Sequence, residues 1–170
     1  LQEYGKTVSA DFSQGIEQLR YRIYTLEKAV LTTLVSRGNL SETSLCVLID
    51  AQQEGKEFEN LVLQLIEAAV GMLQLRDNDL SDRELLATGQ RLTELTRGSK
   101  TRWIMNDRAD LALATGADGV HLGQEDLPIA AARKLVGAAM LIGVSTHDLE
   151  QARQAVLEGA NYIGVGPVSV

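Results

Sequence analysis

The chain has 170 residues, 45% of them apolar, a formal charge of −7 and one cysteine, Cys46. That length and apolar content suit a single domain with a sizeable core. The acidic balance disfavours a nucleic-acid partner, whose binding rests on cationic contacts to phosphate, and no apolar run approaches the roughly 18 to 20 residues needed to span a bilayer.

The amino terminus lacks a basic segment leading into an apolar signal core, so the expected location is the cytoplasm. Cys46 lies inside an apolar run and is expected to be a small buried packing residue. Small phosphorylated ligands remain open, provided that an arginine or a metal ion supplies local positive charge.

Residues 1–10 carry no strong pattern. From Asp11 the signal is helical: Asp11 and Gln14 stand at capping-box spacing, and Ile16, Leu19, Ile23, Leu26 and Val30 alternate steps of three and four. Two readings of this helix stay open, packing over a larger domain and a seam against a second copy of the chain. The short heptad run falls below what a coiled coil needs. Arg37, Gly38 and Asn39 carry the signal for its end.

A strict βα rhythm follows. Leu45–Ile49 reads as a strand ending at Asp50, and Phe58, Leu61, Val62, Leu65, Ile66 and Ala69 form one helix face. Met72–Leu75 is the second strand; Ser81 and Glu84 form a capping box that opens a helix carrying Leu85, Leu86, Leu92 and Leu95. Trp103–Met105 is the third strand, a short helix through Leu111 and Ala114 stops at Gly116, and Val120–Leu122 is the fourth strand. Pro128 opens a helix stopped by Gly137, Met140–Val144 is the fifth strand, a helix spans about Asp148 to Glu158, and Tyr162–Val165 is the sixth strand. Gly116-Ala117-Asp118-Gly119-Val120-His121-Leu122-Gly123 and Gly159-Ala160-Asn161-Tyr162-Ile163-Gly164-Val165-Gly166 match in plan, a weak internal repeat.

Alternation with short connections predicts right-handed crossovers and a parallel sheet. An open doubly wound sheet and a barrel both satisfy that. The first strand lacks a following GxGxxG loop and every strand ends in polar residues or glycine, which favours a (β/α)8 TIM barrel with its site at one rim. Only six βα units are visible, and the chain is expected to stop early, at Val170, where a βα loop should begin.

The strand ends would collect Asp50, Gln74, Arg76, Asp77, Asn106, Asp107, Gln124, Asp126, Ser145, Thr146 and His147 around one mouth. Asp107 and Asp126 follow neighbouring strands and suit Mg2+ held with phosphate oxygens, or else each caps the helix it precedes. Arg76 can fork a phosphate or pair with Asp77. Gln74 and Asn106 can read a heterocycle edge or satisfy loop backbone. Ser145 and Thr146 can cap a helix or hold an anion at its amino terminus. His121 fits a hydrogen-bonded core histidine better than a general base, and His147 a solvated helix start. No nucleophile-elbow sequence supports a triad.

Five motifs, Gln74-Leu75-Arg76-Asp77, Asn106-Asp107-Arg108, Gly119-Val120-His121-Leu122-Gly123-Gln124-Glu125-Asp126, Gly143-Val144-Ser145-Thr146-His147 and Tyr162-Ile163-Gly164-Val165-Gly166-Pro167-Val168, together resemble the thiamine-phosphate synthase family in order and spacing. The resemblance covers 45–170 and leaves 1–44 as a helical extension. It implies a transferase that condenses hydroxymethylpyrimidine diphosphate with thiazole phosphate, the pyrimidine methylene ionising before the thiazole nitrogen attacks. It also implies a substrate-binding set of Gln74, Leu75, Arg76, Asp77, Asn78, Asn106 and Ser145, with Gln74 and Asn106 on the pyrimidine, Arg76 and Ser145 as catalytic residues at the diphosphate, and Mg2+ on Asp107 and Asp126.

Two departures stand out. Family members usually carry lysine where this chain has Asn78, and their threonine- and lysine-bearing loop should follow Pro167, where Ser169 and Val170 close the chain. The alternatives are a thiazole tautomerase-like relative on the same barrel, which does not need both aspartates, and a degenerate barrel kept for binding or assembly. Phosphorylated heterocycles are the expected partners, with a homo-oligomer through the amino-terminal helix left open.

Overall fold

The computed structural model describes residues 10–51 and 55–167. The amino-terminal positions 1–9 and the positions after Pro167, where the family loop is expected, lie outside the described residues. The elements run α1 (Ala10–Leu40), β1 (Cys46–Ile49), α2 (Lys56–Glu67), β2 (Met72–Leu75), α3 (Asp82–Thr96), β3 (Arg102–Asn106), α4 (Ala109–Thr115), β4 (Gly119–Leu122), α5 (Ile129–Val136), β5 (Leu141–Thr146), α6 (Leu149–Glu158) and β6 (Tyr162–Val165).

All six strands are parallel and each pairs with its predecessor, in the order β1-β2-β3-β4-β5-β6. A doubly wound sheet reverses its strand order at a switch point, and this sheet has none, so the six strands form a half-barrel. Alternate side chains divide between two faces. Leu73, Leu75, Trp103, Met105, Val120, Leu122, Ile142 and Val144 are buried in one cluster with Phe58, Val62, Leu85, Leu92, Ala112 and Val136 of the helices. At about 1.5–3 kcal/mol for each large side chain buried, this face dominates the stability of the sheet. On the concave face, Met72, Ile104 and Leu141 form a smaller buried layer with Leu40 and Tyr162 against it.

Local signals explain the boundaries. Ser81 accepts from the Glu84 amide and Glu84 accepts from the Ser81 amide, so α3 opens on the expected capping box. Gly116 and Gly159 close α4 and α6 with φ of 74° and 97°, a conformation that costs glycine least. The internal repeat has a physical purpose: Asp118 accepts from the Trp103 amide at 2.9 Å and Asn161 from the Ile142 amide at 2.8 Å. Each loop thereby clamps the start of the preceding strand.

The amino-terminal helix differs from expectation in two respects. It continues through Arg37 and Gly38 to Leu40, and the Ile16–Val30 stripe is not its packed face. Leu19, Ile23, Leu26 and Val30 are each more than half exposed, whereas Ala29 and Ser36 are buried. α1 lies against α6, where Lys28 donates to the Glu158 carbonyl and Asn161 Nδ2 donates to Ser36 Oγ at 2.9 Å. Polar latches chose the docking face over the more apolar stripe. Cys46 also departs from expectation: it is exposed, because β1 stands at the edge of the sheet formed by the described residues. Among the described residues, no helix is long and apolar enough to cross a membrane.

Candidate functional site

Four consecutive strands present polar groups on the concave face near their carboxyl ends: Gln74 on β2, Asn106 on β3, His121 on β4 and Ser145 on β5. Gln74 Nε2 donates to Asn106 Oδ1 at 2.7 Å. That bond leaves the Gln74 carbonyl and the Asn106 amino group available together, an acceptor beside a donor, which complements the edge of an amino-substituted heterocycle.

Asp107 follows β3 with φ of 60°, a left-handed conformation that few non-glycine residues adopt. Its amide donates to the His121 carbonyl at 2.7 Å, which anchors the turn to β4. Arg108 secures the other side by pairing with Asp82 and Asp110, tying the turn to α3 and α4. The Asp107 carboxyl then meets that of Asp126, which accepts from the Gly123 amide at 2.5 Å. Burial, the Asp126 hydrogen bond and the Asp126 charge push the Asp107 carboxyl up to about 6, against an opposing pull from the Arg76 cation. Neither aspartate caps a helix: the cap positions of α4 and α5 are Arg108 and Pro128. Two adjoining carboxyls are therefore left facing each other, with a guanidinium close enough to be felt.

The loop after β2 divides its duties. Leu75 is buried on the helix side. Asp77 accepts from the amides of Ala51, Asp79 and Leu80, so it fixes the loop and does not pair with Arg76. Burial raises its carboxyl, but the three amides together outweigh that and hold it below the usual carboxylate range. Arg76 and Asn78 are both exposed, and the described ion pairs include none to Arg76.

Ser145 is a strand residue. Asp148, not Ser145 or Thr146, caps α6, accepting from the Gln151 amide at 2.8 Å, while Thr146 is fully buried and donates to the Gly164 carbonyl. His121 Nε2 lies 2.9 Å from Ser145 Oγ and His121 Nδ1 lies 3.2 Å from the Tyr162 hydroxyl. Burial, helped by the Arg76 charge, lowers the His121 pKa against the pull of Asp126; burial, then the Cys46 charge, raises that of Tyr162. Gln124 reaches the same place, donating to the Ser145 carbonyl at 2.5 Å. His147 is exposed, its amide satisfied by Gln151, and stands apart from this cluster.

Tyr162 is the member that the sequence reading missed. The internal repeat carried a signal for it: Gly119 and His121 in the first copy stand where Tyr162 and Gly164 stand in the second, so ring and glycine exchange places. Among the described residues, no group of three or more histidine, cysteine or carboxylate side chains could hold a metal by itself. The two aspartates would need ligand oxygens to complete a coordination shell, as Mg2+ sites commonly do.

Comparison with known proteins places this architecture. The sequence model described as Thiamine monophosphate synthase matches residues 45–170. The chain is 41% identical over 171 residues to a thiamine-phosphate synthase of Rhodopirellula baltica, covering 98% of this chain and 46% of that protein. It is 45% identical over 173 residues to one of Synechocystis sp., covering 99% and 48%, and 44% identical over 168 residues to one of Gloeobacter violaceus, again covering 99% and 48%. These matches take in α1, which the family model leaves out. The chain spans about half the length of the curated relatives it matches. Among solved structures, thiamine phosphate pyrophosphorylase from Pyrococcus furiosus superposes with a TM-score of 0.67 at 34% identity, covering 75% of this chain and 62% of that one. The half-barrel, the motifs at its strand ends and these matches agree: the chain belongs to the thiamine monophosphate synthase family.

Proposed function

We propose that the protein carrying this chain is a Mg2+-dependent transferase that joins hydroxymethylpyrimidine diphosphate to thiazole phosphate, yielding thiamine phosphate and pyrophosphate. The observation that carries this reading is the adjacency of two pairs at the rim, the Gln74–Asn106 amides and the Asp107–Asp126 carboxyls. The first offers an acceptor and a donor to an aminopyrimidine edge. The second fits a hard divalent cation: two carboxyl groups meet at the open rim, one of them held above the usual carboxylate range, and a cation would relieve their repulsion.

In this reading Gln74 and Asn106 orient the pyrimidine so that its diphosphate lies over the ends of β3 to β5. Arg76 and Ser145 bind the departing diphosphate, Arg76 through its charged fork and Ser145 through its hydroxyl. Mg2+ held by Asp107 and Asp126 would neutralise charge as it develops on the leaving group. Asn78 adds an amide where a lysine would add a charge, so Arg76 carries more of the cationic work. The retained carboxyl pair speaks against a thiazole tautomerase. The exposed edges at β1 and β6, with Leu48 and Val165 uncovered, support a sheet that continues to a (β/α)8 barrel. Phosphorylated, membrane-impermeant substrates favour the cytoplasm. The uncovered stripe of α1 supports self-association through that helix, testable by sedimentation of wild type against Leu26→Glu.

Incubation with both substrates and Mg2+ tests the activity. Thiamine phosphate should form, and should fall at least ~100-fold in Asp107→Ala or Asp126→Ala. Folded protein that makes none sinks the reading.

A further inference from the structure

One row of the concave face runs His121 on β4, Gly143 on β5 and Tyr162 on β6, each in register with the next. The Tyr162 ring crosses Gly143 to reach His121: a Cβ at Gly143 would overlap the ring carbons and the hydroxyl of Tyr162. In the next row Ser145 pairs with Gly164, and a Cβ at Gly164 would lie 3.4 Å from His121 Cε1. Glycines on two strands thus leave room for an imidazole and a phenol whose ring centroids are 5.5 Å apart. This built arrangement ends on Ser145, and neither His121 nor Tyr162 has a part in the function described above.

We propose that Tyr162 and His121 are positioning residues that set the direction of the Ser145 hydroxyl. Tyr162 donates its O–H to His121 Nδ1, His121 Nε2–H donates to Ser145 Oγ, and the Ser145 proton is left to donate outward to an anionic oxygen of the ligand. The order follows from hydrogen-bonding capacity. A phenol is a good donor and a poor acceptor, and His121 is the one hydrogen-bond partner found for the Tyr162 hydroxyl among the described residues. Once Nδ1 accepts, a neutral imidazole must carry its proton on Nε2. In the reverse order Ser145 would spend its proton on His121 and turn only lone pairs toward a polyanion. Chains of this kind also polarise in series, which strengthens the terminal donor. The proposal rests on the reading that Ser145 meets the diphosphate.

The chain contains two histidines, so 15N-imidazole labelling with His147→Gln as the assignment control reports the His121 tautomer directly. Wild-type protein should show Nε2–H at pH 8. In Tyr162→Phe the tautomer should shift toward Nδ1–H, and calorimetric affinity for pyrophosphate with Mg2+ should fall about tenfold. In a Ser145→Ala background the same change should cost less than about twofold, because the relay no longer has an end point. An Nδ1–H tautomer in wild type overturns the relay whatever the ligand is. Equal losses in the two backgrounds overturn it too, since the tyrosine would then act on the fold and not through Ser145. Wild-type protein that leaves pyrophosphate unbound, with the Nε2–H tautomer in place, overturns the ligand assigned to Ser145 and the proposed function with it.

Discussion

The rim of the half-barrel and α1 start from the same material, apolar residues at regular spacing interrupted by polar ones, and end in opposite states. In strands β2 to β5 the apolar positions are buried and polar groups gather on the concave face, where Gln74, Asn106, His121 and Ser145 are locked to protein partners. In α1 the apolar stripe stays exposed, with Leu26 at 55% and Leu34 at 61%, while Ala29 and Ser36 make the contact. The difference teaches that periodicity marks a face but does not select its partner. A strand between two strands has its faces assigned by the ladder; a lone helix docks wherever small residues and polar latches allow close approach.

Leu73→Ala should break the comparison most severely, because Leu73 is fully buried on the helix side: a loss of about 2–5 kcal/mol, read by urea denaturation. Next, Asp126→Ala should leave the fold in place yet lower turnover at least ~100-fold, equivalent to roughly 2.7 kcal/mol at the transition state. Asn161→Asp keeps an acceptor for the Ile142 amide and removes the donor to Ser36. It should cost about 1 kcal/mol and speed amide exchange in the carboxyl half of α1. Unchanged exchange there would show that this latch does not hold the helix.

Asp107→Asn should act in the other direction. A carboxyl pushed up to about 6 in the folded state binds protons more tightly than it does when unfolded. In ligand-free protein the contribution of this group to stability is therefore lost as pH rises from about 4 through 6. Removing the charge should raise the unfolding free energy above pH 6, by no more than about 1 kcal/mol once solvent screening at this exposed residue is counted, and flatten that pH window. Mg2+ affinity should rise with pH across the same interval in wild type and be lost in the variant. The smallest effect belongs to Leu26→Ala, with a stability change within about 0.5 kcal/mol; a larger loss in dilute protein would mean that the stripe is covered within one chain.

Much was legible in residue order alone: alternating strands and helices, the Ser81–Glu84 capping box, the glycine stops at Gly116 and Gly159, and the polar residues at the strand ends. These are local, since a cap, a turn or an apolar period involves residues a few positions apart. Tertiary structure decided the rest. It freed Asp107 and Asp126 from capping, placed Cys46 on an open edge, gave Asp77 to the backbone and joined Ser145 to His121 and Tyr162. Each of those outcomes depends on which strand lies beside which, and on what a neighbour distant in the chain leaves room for. Sequence set the alternation that makes the half-barrel; only the register across it determined which polar groups meet.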